Sequence, residues 1–126
     1  MRPKTLAEVA VLSERGDSFD RCLANFLDGF YADPTAGALA DAPHRLGPEM
    51  GERGWMLDAY LAATAEQLSG NFGFEMPGWV LNDDRKLSHP WFASSLGALR
   101  AVLLLESPAV FRARNLFISA NALTRA

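Results

Sequence analysis

Apolar residues return at helical spacing along much of this chain, most clearly between residues 19 and 30. Phe19, Leu23, Phe26, Leu27 and Phe30 take the i, i+4, i+7, i+8 and i+11 places of one helical face, while Asp20, Arg21, Asn25 and Asp28 fall on the other. Asp17 or Ser18 can cap this helix, and Asp33-Pro34 ends it, because the residue before proline disfavours the helical region. Ahead of it, Thr5-x-x-Glu8 is a capping box before Leu6, Val9 and Leu12, which predicts a helix to about Arg15, stopped by Gly16. A third helix is predicted from about Arg53 to Ser69, with Trp55, Leu57, Leu61, Ala62, Ala65 and Leu68 as its stripe and Gly70-Asn71 as a left-handed cap. A fourth runs from Ser94 or Ser95 through Glu106. Its Leu96, Leu99, Val102, Leu103 and Leu105 leave so little polar face that it is expected at the centre of the core, with 96–105 buried. Ser107-Pro108 then restarts the helix with a serine cap and proline at the first position. Val110, Phe111, Leu116, Phe117 and Ile118 add core material, and Ser119 can cap a last turn.

Between these elements the periodicity breaks. Pro43, Gly47, Pro48, Gly51 and Gly54 interrupt residues 34–54, which read as a mobile connecting loop with a turn or two of helix over 35–42. The glycine-broken stretch 72–79 drapes aromatics across the helices, and Asn82-Asp83-Asp84-Arg85-Lys86 reads as a polar surface turn. Val80-Leu81 and Leu116-Phe117-Ile118 are the only β-like runs, the second able to form a short edge pairing at most. The expected fold is all-α: one domain over residues 1–126, five to seven short helices, irregular Gly/Pro-rich connections.

Composition agrees with one core, since 126 residues with 49% hydrophobic content suffice to bury roughly two thirds of the unfolded surface. Cys22 is the single cysteine and sits among Phe19, Leu23 and Phe26, so it reads as a small buried hydrophobe in a reducing compartment. No secretory signal is evident at the N-terminus, and the longest apolar run, 101–105, is far short of a membrane span. A cytoplasmic protein without membrane contact is expected. The net charge of −3 conceals a division: residues 1–84 carry 6 Lys+Arg against 14 Asp+Glu, whereas 85–126 carry 6 against 1. Either the basic part faces an acidic partner, or the two parts neutralise each other in the fold.

Candidate chemistry is sparse. His44 and His89 lie in no metal-binding spacing; His89 with Asp83 and Asp84 is the one conceivable cation site, and a solvated acidic turn accounts for it better. There is no nucleophile elbow and no phosphate loop, and Ser94-Ser95-Leu96-Gly97 reads as ordinary N-capping rather than an anion cradle. No catalytic residue, metal or cofactor is assigned. Trp55, Trp79 and Trp91 suit either core or interface, with Trp79 and Trp91 in loops that ease exposure. Trp79, Trp91, Phe92, Arg100, Arg112 and Arg114 are therefore the partner-binding candidates, the guanidinium groups suiting carboxylate or phosphate. Arg112 and Arg114, two apart, cannot share one helical face. The predicted second and third helices are acidic and repel phosphates, which disfavours nucleic acid.

The runs Met76-Pro77-Gly78-Trp79, Pro90-Trp91-Phe92, Leu99-Arg100-Ala101, Glu106-Ser107-Pro108, Phe111-Arg112-Ala113-Arg114-Asn115-Leu116-Phe117 and Asn121 to Ala126 resemble an uncharacterised bacterial family of small antitoxin-like proteins. Some of these are encoded beside nucleotidyltransferase-like proteins, and others follow a helix-turn-helix domain that the first 50 residues here lack. The resemblance covers about residues 55–126. It implies a non-enzymatic subunit that binds and restrains a partner protein, with a nucleotidyltransferase-like toxin as one such partner and a homodimer left open. A DNA-binding transcriptional regulator and a small metal-dependent enzyme are the alternatives.

Overall fold

A computed structural model describes residues 2–94 and 97–125. The chain opens with α1 (Leu6–Glu14), whose N-terminus is closed by Thr5 Oγ1 accepting from the Glu8 N–H at 3.1 Å. Gly16 turns the chain with φ 106°. Ser18 then caps α2 (Phe19–Ala32) by accepting from the Arg21 N–H at 3.3 Å, and the expected stripe, joined by Cys22, is buried. Within residues 34–54 the expected turn of helix over 35–42 is α3 (Gly37–Ala40), whereas the remainder, expected as a loop, holds a second single-turn helix, α4 (Gly47–Met50), and the segment buries Leu39, Pro43 and Leu46.

Helix α5 (Glu52–Phe72) starts after Gly51 and runs past the expected stop, ending at Gly73, whose φ of 70° is the left-handed conformation that had been assigned to Gly70-Asn71. It is the central element. Ala59, Leu61, Ala62, Ala63, Ala65 and Leu68 are fully buried, because small alanine faces let neighbours pack on several sides at once. The buried hydroxyls on this helix are satisfied by the preceding turn: Thr64 donates to the Tyr60 carbonyl at 2.8 Å and Ser69 to the Ala65 carbonyl at 2.7 Å. Edge-to-face ring contacts join it to its neighbours, Tyr60 meeting Phe19 at 5.6 Å and α7's Phe111 at 5.0 Å, and Phe72 meeting Phe30 at 5.2 Å.

After two 3-10 turns, Gly78–Leu81 and Asp83–Arg85, the two-residue strand β1 (Trp91–Phe92) leads to α6 (Gly97–Glu106) and α7 (Ala109–Arg112) and back to β2 (Leu116–Phe117). The strands pair in parallel, Trp91 beside Leu116 and Phe92 beside Phe117. Asn115 enters β2 at φ 64°, a conformation Asn tolerates, and its amide donates to the Leu87 carbonyl at 2.7 Å. Ser107 does not cap α7. Its hydroxyl donates to the Leu116 carbonyl at 3.0 Å and accepts from the Ile118 N–H at 3.3 Å, tying the α6–α7 corner to β2.

The fold is mostly α, one small domain with seven α-helices among the described residues. Helix α6, expected at the core, lies outside it. Leu103 is buried, whereas Leu99, Val102, Leu104 and Leu105 are exposed; Ser95 and Leu96 lie outside the described residues. The physical reason is competition for the centre, which the longer and alanine-rich α5 occupies. No described helix is long and apolar enough to cross a membrane.

Candidate interaction surface

Two of the sequence candidates are inside the protein. Trp79 is buried, its indole N–H donating to the Leu39 carbonyl at 3.0 Å, and the Arg85 guanidinium lies 4.9 Å from its ring centroid. Arg114 is buried as a strut. It donates to Glu66 Oε1 at 2.8 Å, to the Val80 carbonyl at 3.0 Å and to the Val110 carbonyl at 2.8 Å, joining α5, the first 3-10 turn and α7.

Arg85, read from sequence as part of a surface turn, has no exposed side-chain surface. Its guanidinium donates to the Pro43 and Asp58 carbonyls and lies 3.8 Å from the Asp58 carboxylate. That carboxylate, on α5 and equally buried, accepts from the Leu46 N–H at 2.8 Å and the Gly47 N–H at 3.0 Å, so it caps α4 from across the fold. Burial, with Arg45 nearby, pushes the Arg85 pKa down to about 10. From sequence, Asp58 counts with Glu66 among the acids of the third helix, because an acid on a helix reads as solvated. The signal that could have found it is its place between Leu57 and Ala59 on the stripe side of an otherwise apolar helix.

These contacts also explain the uneven charge. Arg85 faces Asp58, Arg114 faces Glu66, and Arg125 forms two hydrogen bonds to Asp28 at 2.8 and 3.2 Å, holding the Asp28 carboxyl below its usual range. Half of the six cations beyond residue 84 are thus matched by acids of the preceding part. Arg112 remains exposed, its side chain reaching no carboxylate among the described residues.

The other candidates lie around β1. Trp91 is half-buried and, with the exposed Trp55, walls a cavity of about 470 Å³ whose rim carries Glu52, Lys86, Asp84 and His89. Asp84 and His89 meet here, but Asp84 accepts from Arg45 at 2.7 Å, which lowers its pKa, and no trio of metal-ligating side chains gathers among the described residues. Phe92 stacks on Phe117 with centroids 5.0 Å apart, and the Arg100 guanidinium covers its ring at 5.1 Å.

Arg100 leads to the surface that sequence reasoning missed. Among its described side chains α6 has two charges, both exposed: Arg100 lies over Phe92, and Glu106 accepts from the Ala120 N–H at 3.3 Å. Most of its large apolar side chains are exposed beside them. Leu99, Val102 and Leu104 are 44–47% exposed and Leu105 is 83% exposed. Together they offer roughly 400 Å² of exposed surface on apolar residues, the scale of the largest apolar patch on an ordinary monomer, which is often functional.

Comparison with known protein families, with curated proteins and with solved structures returned no match.

Proposed function

We propose that this chain is a non-enzymatic interaction module that binds and restrains a partner protein through α6, in the manner of an antitoxin-like subunit. One observation carries the reading: on α6, Leu99, Val102, Leu104 and Leu105 are exposed while the helix's two charges contact its own chain. An exposed patch of this kind costs solubility unless something occupies it. Phe92 lies under Arg100 of the same helix, Trp91 beside it on β1 walls the cavity with Trp55, and Arg112 is an exposed cation on α7. Trp79 and Arg114 act one step back, as the supports that hold the 3-10 turn, α5 and α7 together. The antitoxin-like character and a nucleotidyltransferase-like partner rest on the resemblance of residues 55–126, and the cytoplasmic setting on the lone, buried thiol of Cys22. The regulator alternative has less to stand on, because Arg114 is committed to Glu66 and leaves Arg112 alone among the tail arginines without a partner group.

The test is co-expression with the product of the neighbouring gene, followed by purification on a tag carried by one of the two chains. A stoichiometric complex that is lost in Leu105→Glu, with the variant's circular dichroism unchanged, is the expected result. Failure to form any complex, or a complex indifferent to substitutions on α6, refutes the proposal.

A further inference from the structure

One exposed aromatic residue on α5 is held as firmly as a buried one. A Cβ placed on Gly47 would lie 2.0–2.4 Å from Cδ2, Cε2 and Cε3 of Trp55. Cδ2 and Cε2 are ring-fusion atoms with no outer edge, so Gly47 meets the indole on its flat face. The glycine is itself fixed, because its N–H donates to the buried Asp58 carboxylate at 3.0 Å. Trp55 is nevertheless 36% exposed. An aromatic ring backed onto an anchored glycine and left open to solvent is preorganised for a ligand, since little freedom remains to be lost on binding.

The second wall of the same cavity is anchored as well. The Trp91 N–H donates to the Asn115 carbonyl at 2.8 Å, and its side chain packs against the core. Between the two indoles runs the segment 86–90, tied down through Leu87, whose N–H donates to the Arg114 carbonyl at 3.1 Å and whose carbonyl accepts from the Asn115 amide at 2.7 Å. Met56, Leu87 and Pro90 complete the apolar lining of the roughly 470 Å³ space, a volume within the range of about 300–1,000 Å³ usual for small-molecule sites. The rim decides what charge the site accepts. Glu52 and Lys86 have opposite charges and neither has a partner among the described residues, while Asp84 is held by Arg45 at 2.7 Å. A phosphate would meet two carboxylates and one free ammonium, and an organic cation would meet that ammonium; neither is well matched. Ser88 and His89 add hydrogen-bonding groups to the same rim.

We infer that the cleft between α5 and the segment 84–91 binds an uncharged, planar heteroaromatic molecule of nucleoside size, stacked on the indoles of Trp55 and Trp91 with its polar edge at the rim. The site shares no lining residue with α6 and does not depend on the interaction reading above.

The full chain is titrated with adenosine, guanosine, cytidine and uridine, and binding is read by ligand-observed NMR, so that variants lacking a tryptophan are measured on the same scale. Saturable binding of at least one of the four, with a Kd of about 1 mM or tighter, is the expected result. Trp55→Ala should weaken it at least about fivefold, the loss of one stacking contact. Gly47→Ala should do the same with all tryptophans present, because the new methyl displaces the Trp55 ring; it carries the test alone if circular dichroism shows Trp55→Ala unfolded. No saturable binding of any of the four overturns the inference. So does binding unchanged in the folded variants, which puts the ligand elsewhere. Adenosine monophosphate held more than about tenfold more tightly than adenosine makes this an anion site, and tetramethylammonium bound where the nucleosides are not makes it a cation cage; either result overturns the inference.

Discussion

Replacing Asp58 by alanine should be among the most damaging single changes available to this chain. The carboxylate performs two jobs at zero solvent exposure: it accepts the Leu46 and Gly47 N–H groups at 2.8 and 3.0 Å, and it faces the buried Arg85 guanidinium at 3.8 Å. Alanine leaves two buried donors without an acceptor, each costing about 1–3 kcal/mol, and strips the cation of its counter-charge, for which breaking a buried pair costs about 3–5 kcal/mol. These costs overlap, since Arg85 keeps its hydrogen bonds to the Pro43 and Asp58 carbonyls, so the expected loss is about 3–5 kcal/mol. Against a total of roughly 5–15 kcal/mol for a domain of this kind, such a loss moves a urea midpoint down by about 2–3 M at a slope near 1.5 kcal/mol/M. Urea unfolding followed by tryptophan fluorescence, with wild type and variant fitted to the same slope, measures it. A loss below about 1 kcal/mol refutes the account, as it would show that solvent or rearrangement replaces the carboxylate freely. The double variant Asp58→Ala/Arg85→Met tests the cause: it should recover part of the loss, because the unpaired charge is removed with its partner.

Gly54→Ala should destabilise by about 1–3 kcal/mol, although alanine is normally favoured over glycine inside a helix by about 1 kcal/mol; its Cβ would overlap the backbone carbonyl of Leu46, which cannot swing aside as a side chain can, and a thermal melt reads the sign. Tyr60 is pushed up to about 12 by burial, with Asp20 adding to the effect, so its folded pKa lies above the unfolded one near 10. Its contribution is complete below pH 10 and drains as the pH rises from 10 to 12; Tyr60→Phe should therefore gain stability relative to wild type across that window in urea titrations at stepped pH. Asp28 and Asp84 are held below the usual carboxylate range by hydrogen bonds from Arg125 and Arg45, so what they contribute is present above about pH 4 and lost as the pH falls through their folded values. Wild type should accordingly lose its advantage over Arg45→Gln/Arg125→Gln on acidification, and an advantage that grows on acidification contradicts the pairing.

How far these features could be read from sequence depends on the range of the interaction. Helices α1 and α2 were legible to within a residue or two, because Thr5, Ser18 and the Phe19–Phe30 stripe act on neighbours three to eleven positions away. The α5 stop was missed by three residues, since Gly70 and Gly73 offer the same left-handed freedom and the choice between them lies with Phe72 and Phe74 stacking near Phe30. The buried Arg85 was illegible, and only the place of Asp58 on an apolar stripe hinted at its burial. Charged residues in polar surroundings read as solvated unless a partner 27 positions away is known. Helix α6 misled for the opposite reason: hydrophobicity reports that a surface seeks cover and not which molecule supplies it. Its uncovered face could be recognised only once α5, with Ala59, Ala62, Ala63 and Ala65, was seen to fill the centre. Among the candidates, Phe92 and Arg100 were brought together, while Trp79 and Arg114 were drawn inward by carbonyl groups of Leu39, Val80 and Val110 that no sequence pattern announces.

The parallel pairing of β1 with β2 sets both ends of the segment 93–115 side by side, so α6 is held between a two-rung ladder and the core-anchored α7. Substitutions at Leu99, Val102, Leu104 or Leu105 are thereby separated from the packing around α5, and their effects on folding should add to those of core changes with little coupling. A surface mounted in this way can change residue by residue while the packing around α5 beneath it keeps its stability.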